Sequence, residues 1–113
     1  MSRRTTEATA AFLLCVAPVA AHAQLAPTDR EAAIADARAA VTRGDHPAAI
    51  ARLEGARAAL PDDPEILRLL GSAYAYAKRY PEAIATLRQA RTLAPDDLDI
   101  RAALARAYLW SGD

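Results

Sequence analysis

At 113 residues the chain suits one small domain, and 14 Lys and Arg side chains against 14 Asp and Glu leave a formal charge of zero. So even a balance gives no general affinity for nucleic acid or for an anionic membrane surface. A single cysteine, Cys15, excludes an internal disulfide framework.

The first segment reads as one that is processed. Arg3 and Arg4 precede an apolar run over residues 10–21, which ends in Ala21-His22-Ala23. Small side chains three before and one before a cut suit a signal peptidase, so residues 1–23 are expected to be a secretory signal removed before Gln24. The run is 12 residues long, short of the roughly 18 to 20 that a spanning helix needs, so no direct membrane span is expected. Glu7 and Pro18 depart from the usual signal pattern, but Pro18 fits the interior of an ordinary first helix no better. Cys15 follows Leu14 inside the run, which is not the place of a lipid-bearing cysteine. Removal of the signal would leave 90 residues with 12 basic and 13 acidic side chains, no cysteine and no thiol chemistry. Export of this kind implies a secreted protein, and a Gram-negative periplasmic location is expected.

After a short linker over residues 24–29, the punctuation predicts five helices near residues 28–43, 47–60, 64–77, 81–94 and 98–111. Pro47 and Pro81 open two of them and Pro61 and Pro95 follow their ends, because proline fits a first helical turn and breaks an interior. Asp62-Asp63 and Asp96-Asp97 come next and offer caps to the helices beyond. These marks recur every 34 residues. Residues 46–66 align with residues 80–100 at 11 identities in 21 pairs, and a fixed period of this length marks a repeat solenoid in which each unit buries its apolar face on the next. The expected fold is all-α, with repeats at 30–63 and 64–97 and a partial one at 98–113.

In the unit from residue 64 to 97, Leu67, Leu70, Gly71, Tyr74, Ala83, Leu87, Ala90 and Pro95 follow one another at fixed spacing. That spacing resembles the tetratricopeptide repeat (TPR) family, with Leu67 and Leu87 in place of two aromatics. Gly71 and Ala83 would let the two helices of the unit approach closely, and Ala90 would let the next unit stack. One unit earlier Ala37, Ala49, Leu53, Ala56 and Pro61 match, but Asp36 and Ala40 stand where Leu70 and Tyr74 would be. Asp36 then reads as a polar end cap and not as a catalytic acid. One unit later Leu104, Ala105, Ala107 and Tyr108 match, and Ser111-Gly112-Asp113 echoes the turn at Arg43-Gly44-Asp45. The last helix has no following partner in the sequence, so self-association through Leu104, Tyr108 and Trp110 is expected.

Few residues suggest chemistry. His46 lies in a turn without clustered carboxylates, a poor metal site, and reads as a half-packed turn residue beside Pro47. The paired aspartates are explained by capping. Neither a Gly-x-Ser-x-Gly turn nor a glycine-rich phosphate loop occurs, so no catalytic residue and no cofactor is expected. What remains is the groove that the TPR resemblance implies, lined by the first helix of each unit. Its side chains would be Glu31, Ile34, Arg38, Val41 and Thr42, then Glu65, Arg68, Ser72, Ala75 and Tyr76, then Asp99, Ala102, Arg106, Leu109 and Trp110. The candidates for partner contact are Arg38, Arg68, Ser72, Tyr76, Arg106 and Trp110, since arginine and aromatics dominate binding surfaces. The competing reading is a solvated face on which Glu and Arg pair with each other. One TPR subclass grips the C-terminal carboxylate of chaperones with lysines and asparagines on this face. The chain has no asparagine, and Ser72 stands at one such place, so that activity is not expected.

The resemblance implies a protein- or peptide-binding scaffold module in the bacterial envelope. Signal-bearing chains that start with TPR units resemble the periplasmic arms of outer-membrane β-barrel proteins, including those for exopolysaccharide export, and the chain is expected to be the N-terminal part of such a protein. The alternatives are a free periplasmic assembly scaffold, or an arm preceding a catalytic domain.

Overall fold

The computed structural model describes residues 27–112, with side chains placed from Asp29 onward. The expected signal at residues 1–23 and the first half of the expected linker lie outside the described residues, as does Asp113.

Five helices follow one another: α1 (Pro27–Thr42), α2 (His46–Ala59), α3 (Pro64–Tyr76), α4 (Tyr80–Leu93) and α5 (Leu98–Ser111). They agree with the predicted elements to within a residue or so. The exception is that α1 begins at Pro27, so residues 27–29 belong to the helix and not to a linker.

Each boundary has a local cause. Asp63 accepts hydrogen bonds from the backbone N–H groups of Glu65 and Ile66, and Asp97 from those of Asp99 and Ile100. The second aspartate of each pair is therefore the cap. Asp45 does the same for α2 through the Ala48 N–H, whereas Arg79, one unit later, makes no side-chain cap. Pro47, Pro64 and Pro81 occupy first-turn positions, where a missing N–H costs nothing. The turn closing the first helix of each unit needs one left-handed residue, filled by Gly44 (φ 78°) and Gly112 (φ 87°). Lys78 fills the same place in the middle unit at φ 64°, despite its Cβ.

Short turns set neighbouring helices antiparallel, and each helix packs on the next in sequence. In addition α1 touches α3 and α3 touches α5, while α2 and α4 do not come together. The stack therefore bends toward its first helices, which makes α1, α3 and α5 the inner face.

The core is built from small and branched side chains at the repeating places. Ala37, Ala49, Leu53 and Ala56 of the first unit, and Leu70, Ala83, Leu87 and Ala90 of the second, are all buried. Gly71 lies so close to α4 that a Cβ placed there would meet Leu87 Cδ2 at 2.8 Å and Cδ1 at 3.2 Å, with Cγ nearer still. The close approach expected of Gly71 and Ala83 is thus present. Tyr74 is buried and donates its hydroxyl hydrogen bond to the Glu54 carboxylate of α2, with the Arg79 guanidinium 4.7 Å from its ring centroid. Burial, followed by the bond to Glu54, raises the Tyr74 hydroxyl above its ordinary value.

At the N-terminal end Asp36 is exposed and pairs with Arg52 of α2 at 3.0 Å, as suits a polar outer face. At the other end the structure corrects one expectation. Leu104 is not free for self-association: it is buried in the main core at 4% exposure, because α5 packs on both α3 and α4. Tyr108 is half-buried against the same core, and only Trp110 of the three is exposed.

Candidate functional site

The inner face holds a depression of about 450 Å³ between α1, α3 and α5. Its floor is apolar, with Ala37, Leu53 and Ala73 buried and Val41 and Leu69 half-buried. Arg38 and Thr42 of α1, Arg68, Ser72 and Tyr76 of α3, and Arg106 of α5 line it above. Five of the six candidate residues therefore meet at one place. The helical spacing explains this: residues 38 and 42, then 68, 72 and 76, recur every four positions and stand one above the other on a single face.

The sixth, Trp110, stands beside the depression. Its ring centroid is 5.6 Å from that of Tyr76, and the Arg106 guanidinium lies 5.8 Å from its centre. Tyr76 also stacks on His46, at 5.6 Å and 19° between planes, so a file of rings runs from the start of α2 to the end of α5. His46 is half-buried, as expected, but its packing partner is Tyr76, and its Nδ1 is buried without a hydrogen-bond partner among the described residues.

Besides Trp110, seven residues assigned to the groove do not line the depression. Glu31 and Glu65 are held by Arg30, and Asp99, Ala102 and Leu109 are exposed on α5. Ile34 and Ala75 are buried in the core at 5% and 4% exposure, since α1 and α5 both pack against α3.

The arginines do not form a uniform row. Arg38 Nη2 pairs with Glu65 Oε1 at 2.9 Å. Arg106 lies against Trp110, and Arg68 has neither an ion-pair nor a hydrogen-bond partner among the described residues. The acidic edge is likewise engaged. Arg30 binds Glu31 at 2.7 Å, Glu65 at 3.1 Å and Asp63 at 2.6 Å. Burial would raise the Asp63 carboxyl, but the Arg30 guanidinium and the N–H groups of Ile66 and Glu65 together hold it below its ordinary value. The bonds to Asp63 in turn raise Arg30.

Sequence reasoning did not single out Arg30. The signal was in the register, because Arg30 stands one repeat before Pro64 and stacked units bring such places side by side.

Among the described residues no group of three or more His, Cys, Asp and Glu could hold a metal ion, and no helix is long and apolar enough to cross a membrane. The depression offers cations, three hydroxyls and an apolar floor, a set suited to holding a ligand and lacking a paired nucleophile and base.

Neither a curated protein nor a solved structure matches the chain. A family model described as tetratricopeptide repeat matches residues 34–98, more than half of the sequence, from within α1 to the first residue of α5. With helix pairs, 34-residue register and small-residue contacts all in agreement, the chain belongs to the tetratricopeptide repeat family.

Proposed function

We propose that the chain is an exported protein-binding scaffold of the bacterial envelope that holds a peptide segment of its partner on the inner face of α1, α3 and α5. Tetratricopeptide repeats generally mediate protein–protein interaction and typically act as non-catalytic scaffolds. The observation that carries the reading is the depression itself: Arg68, Ser72, Tyr76 and Arg106 converge over an apolar floor. Arg38 pairs with a carboxylate, Glu65, at the edge of this depression. Arg68 and Arg106 pair with none among the described residues. Export rests on the pattern of Arg3, Arg4, the apolar run and Ala21-His22-Ala23.

Two measurements test this. The protein recovered from the envelope fraction of a Gram-negative host should begin at Gln24 on N-terminal sequencing; an intact Met1 in the cytoplasm would defeat export. Immobilised protein should retain specific proteins from envelope extract, and Arg68→Ala with Arg106→Ala should abolish retention. Arg88→Ala, on the outer helix α4, should not. Equal retention by all three would defeat the inner-face reading.

A further inference from the structure

We infer that the segment held in the depression is acidic, seating an apolar side chain on the floor while its carboxylates meet Arg68 and Arg106. This rests on the inner-face reading above and names the chemistry of the partner.

The argument is one of charge. The chain as a whole is neutral, yet three arginines and no carboxylate line the depression. One of the three is already satisfied: Arg38 is bound to Glu65, which Arg30 holds from its other side. That leaves Arg68 and Arg106 as the uncompensated cations, both half-buried, so that part of their hydration is already lost. A guanidinium in that state is matched by a carboxylate, which can accept two parallel N–H bonds, and a basic or neutral segment would leave it unpaired.

The two cations stand on different helices, α3 and α5, and line the same depression. Acidic side chains along an extended segment supply a carboxylate for each. The floor adds the second requirement, since Val41 and Leu69 present half-exposed apolar surface that only an apolar side chain would cover. Trp110, the single tryptophan, rests against Arg106 and so reports the arrival of an anion there.

A random-peptide phage library panned on the purified protein provides the test. The enriched sequences should place Asp or Glu within a few residues of Leu, Ile or Phe. A synthetic peptide of the consensus, amidated at its C-terminus, should change Trp110 emission on titration. Arg68→Gln and Arg106→Gln should each weaken it by roughly 5- to 10-fold, as should replacing the peptide's acids by amides. Circular dichroism melts establish that both variants are folded. Enriched peptides that are neutral or basic, or that are indifferent to Arg68→Gln, would overturn the acidic assignment while leaving the inner face as the binding surface. The underlying reading fails separately: Thr42→Phe, on the exposed lip of the depression, should block every enriched peptide, and binding that survives it, or no enrichment at all, would sink the inner-face site itself.

Discussion

Gly71→Ala adds one methyl group at a close contact between α3 and α4. In an open helix interior that change stabilises by about 1 kcal/mol, because alanine loses less backbone freedom than glycine. Here the new carbon would lie 2.8 Å from Leu87 Cδ2 and nearer still to Cγ, well inside van der Waals contact. Leu87 is fully buried, and since its Cγ is involved, a swing of the terminal methyls alone cannot clear the space. Either its rotamer is forced or the helices part, and such overpacking costs about 1–3 kcal/mol. The net expectation is a loss of about 0–2 kcal/mol, or up to roughly 15 °C in Tm for a domain of this size. Gly55 is the internal control, because a Cβ there meets nothing within 4 Å, and Gly55→Ala should raise Tm by about 4–8 °C. Thermal melts by circular dichroism on both variants, together with Gly71→Ala/Leu87→Ala, complete the assay. Leu87→Ala alone should cost about 2–5 kcal/mol, and the added methyl should then fill part of the space, making the double variant less destabilised than the sum. Because α3 carries Arg68, Ser72 and Tyr76, displacing it should also weaken ligand capture. A Gly71→Ala protein as stable as Gly55→Ala, or strict additivity with Leu87→Ala, would refute the packing argument.

Lys78→Gly should raise stability by about 1 kcal/mol, because Lys78 holds φ 64° where the equivalent turns use glycine; a lower Tm would show that its side chain outweighs the backbone cost. Arg30→Ala should cost about 1 kcal/mol at neutral pH by removing the guanidinium shared among Glu31, Asp63 and Glu65, as read from urea melts; an unchanged midpoint would reduce this network to a surface decoration. Asp63 adds a pH dependence. Its folded carboxyl is held below the ordinary value, so the unfolded chain binds the proton more readily, and the contribution is complete above about pH 5 and lost as pH falls below about 4. Arg30→Ala should flatten that acid slope, and a slope unchanged by the substitution would remove Asp63 as its source.

The helices were legible because most boundaries are marked by a residue whose physics is local, with Lys78 and Arg79 between α3 and α4 the departures. Pro47, Pro64 and Pro81 open, Asp45, Asp63 and Asp97 cap, and Gly44 and Gly112 turn the chain. The small-residue contact at Gly71 was legible because that glycine stands at a fixed place in the repeated packing pattern, unlike Gly55, where an added Cβ would meet nothing. Pairing between units was harder to read. Arg30 reaches residues 33 and 35 places away, and nothing around it in sequence marks it as an anchor. Ile34 and Ala75 were misplaced because helical spacing assigns a face, while the packing of α1 and α5 against α3 decides how far around that face the core extends. Leu104 was misplaced in the same way, buried by two neighbouring helices where adjacency in sequence suggested a free surface.

Two kinds of position follow from the repeat, and they behave differently under a shift of 34. Packing positions keep their character: Ala49 and Ala83, Leu53 and Leu87, Ala56 and Ala90 are buried in both units. The inner-face positions do not. Arg38, Ser72 and Arg106 are one register, and Thr42, Tyr76 and Trp110 another, each with a different chemistry at every step. Stacking constrains only the first kind, because every unit must fit the same neighbour. At the second kind the fold asks for nothing beyond tolerance of water. An arginine there could equally be a solvated side chain, and Arg38, bound to Glu65, shows that outcome. Arg68 and Arg106 depart from it in the same small volume, over apolar residues that the stack leaves uncovered. The repeat therefore accounts for the fold and, by what it does not repeat, marks the place where a partner's chemistry has to be read.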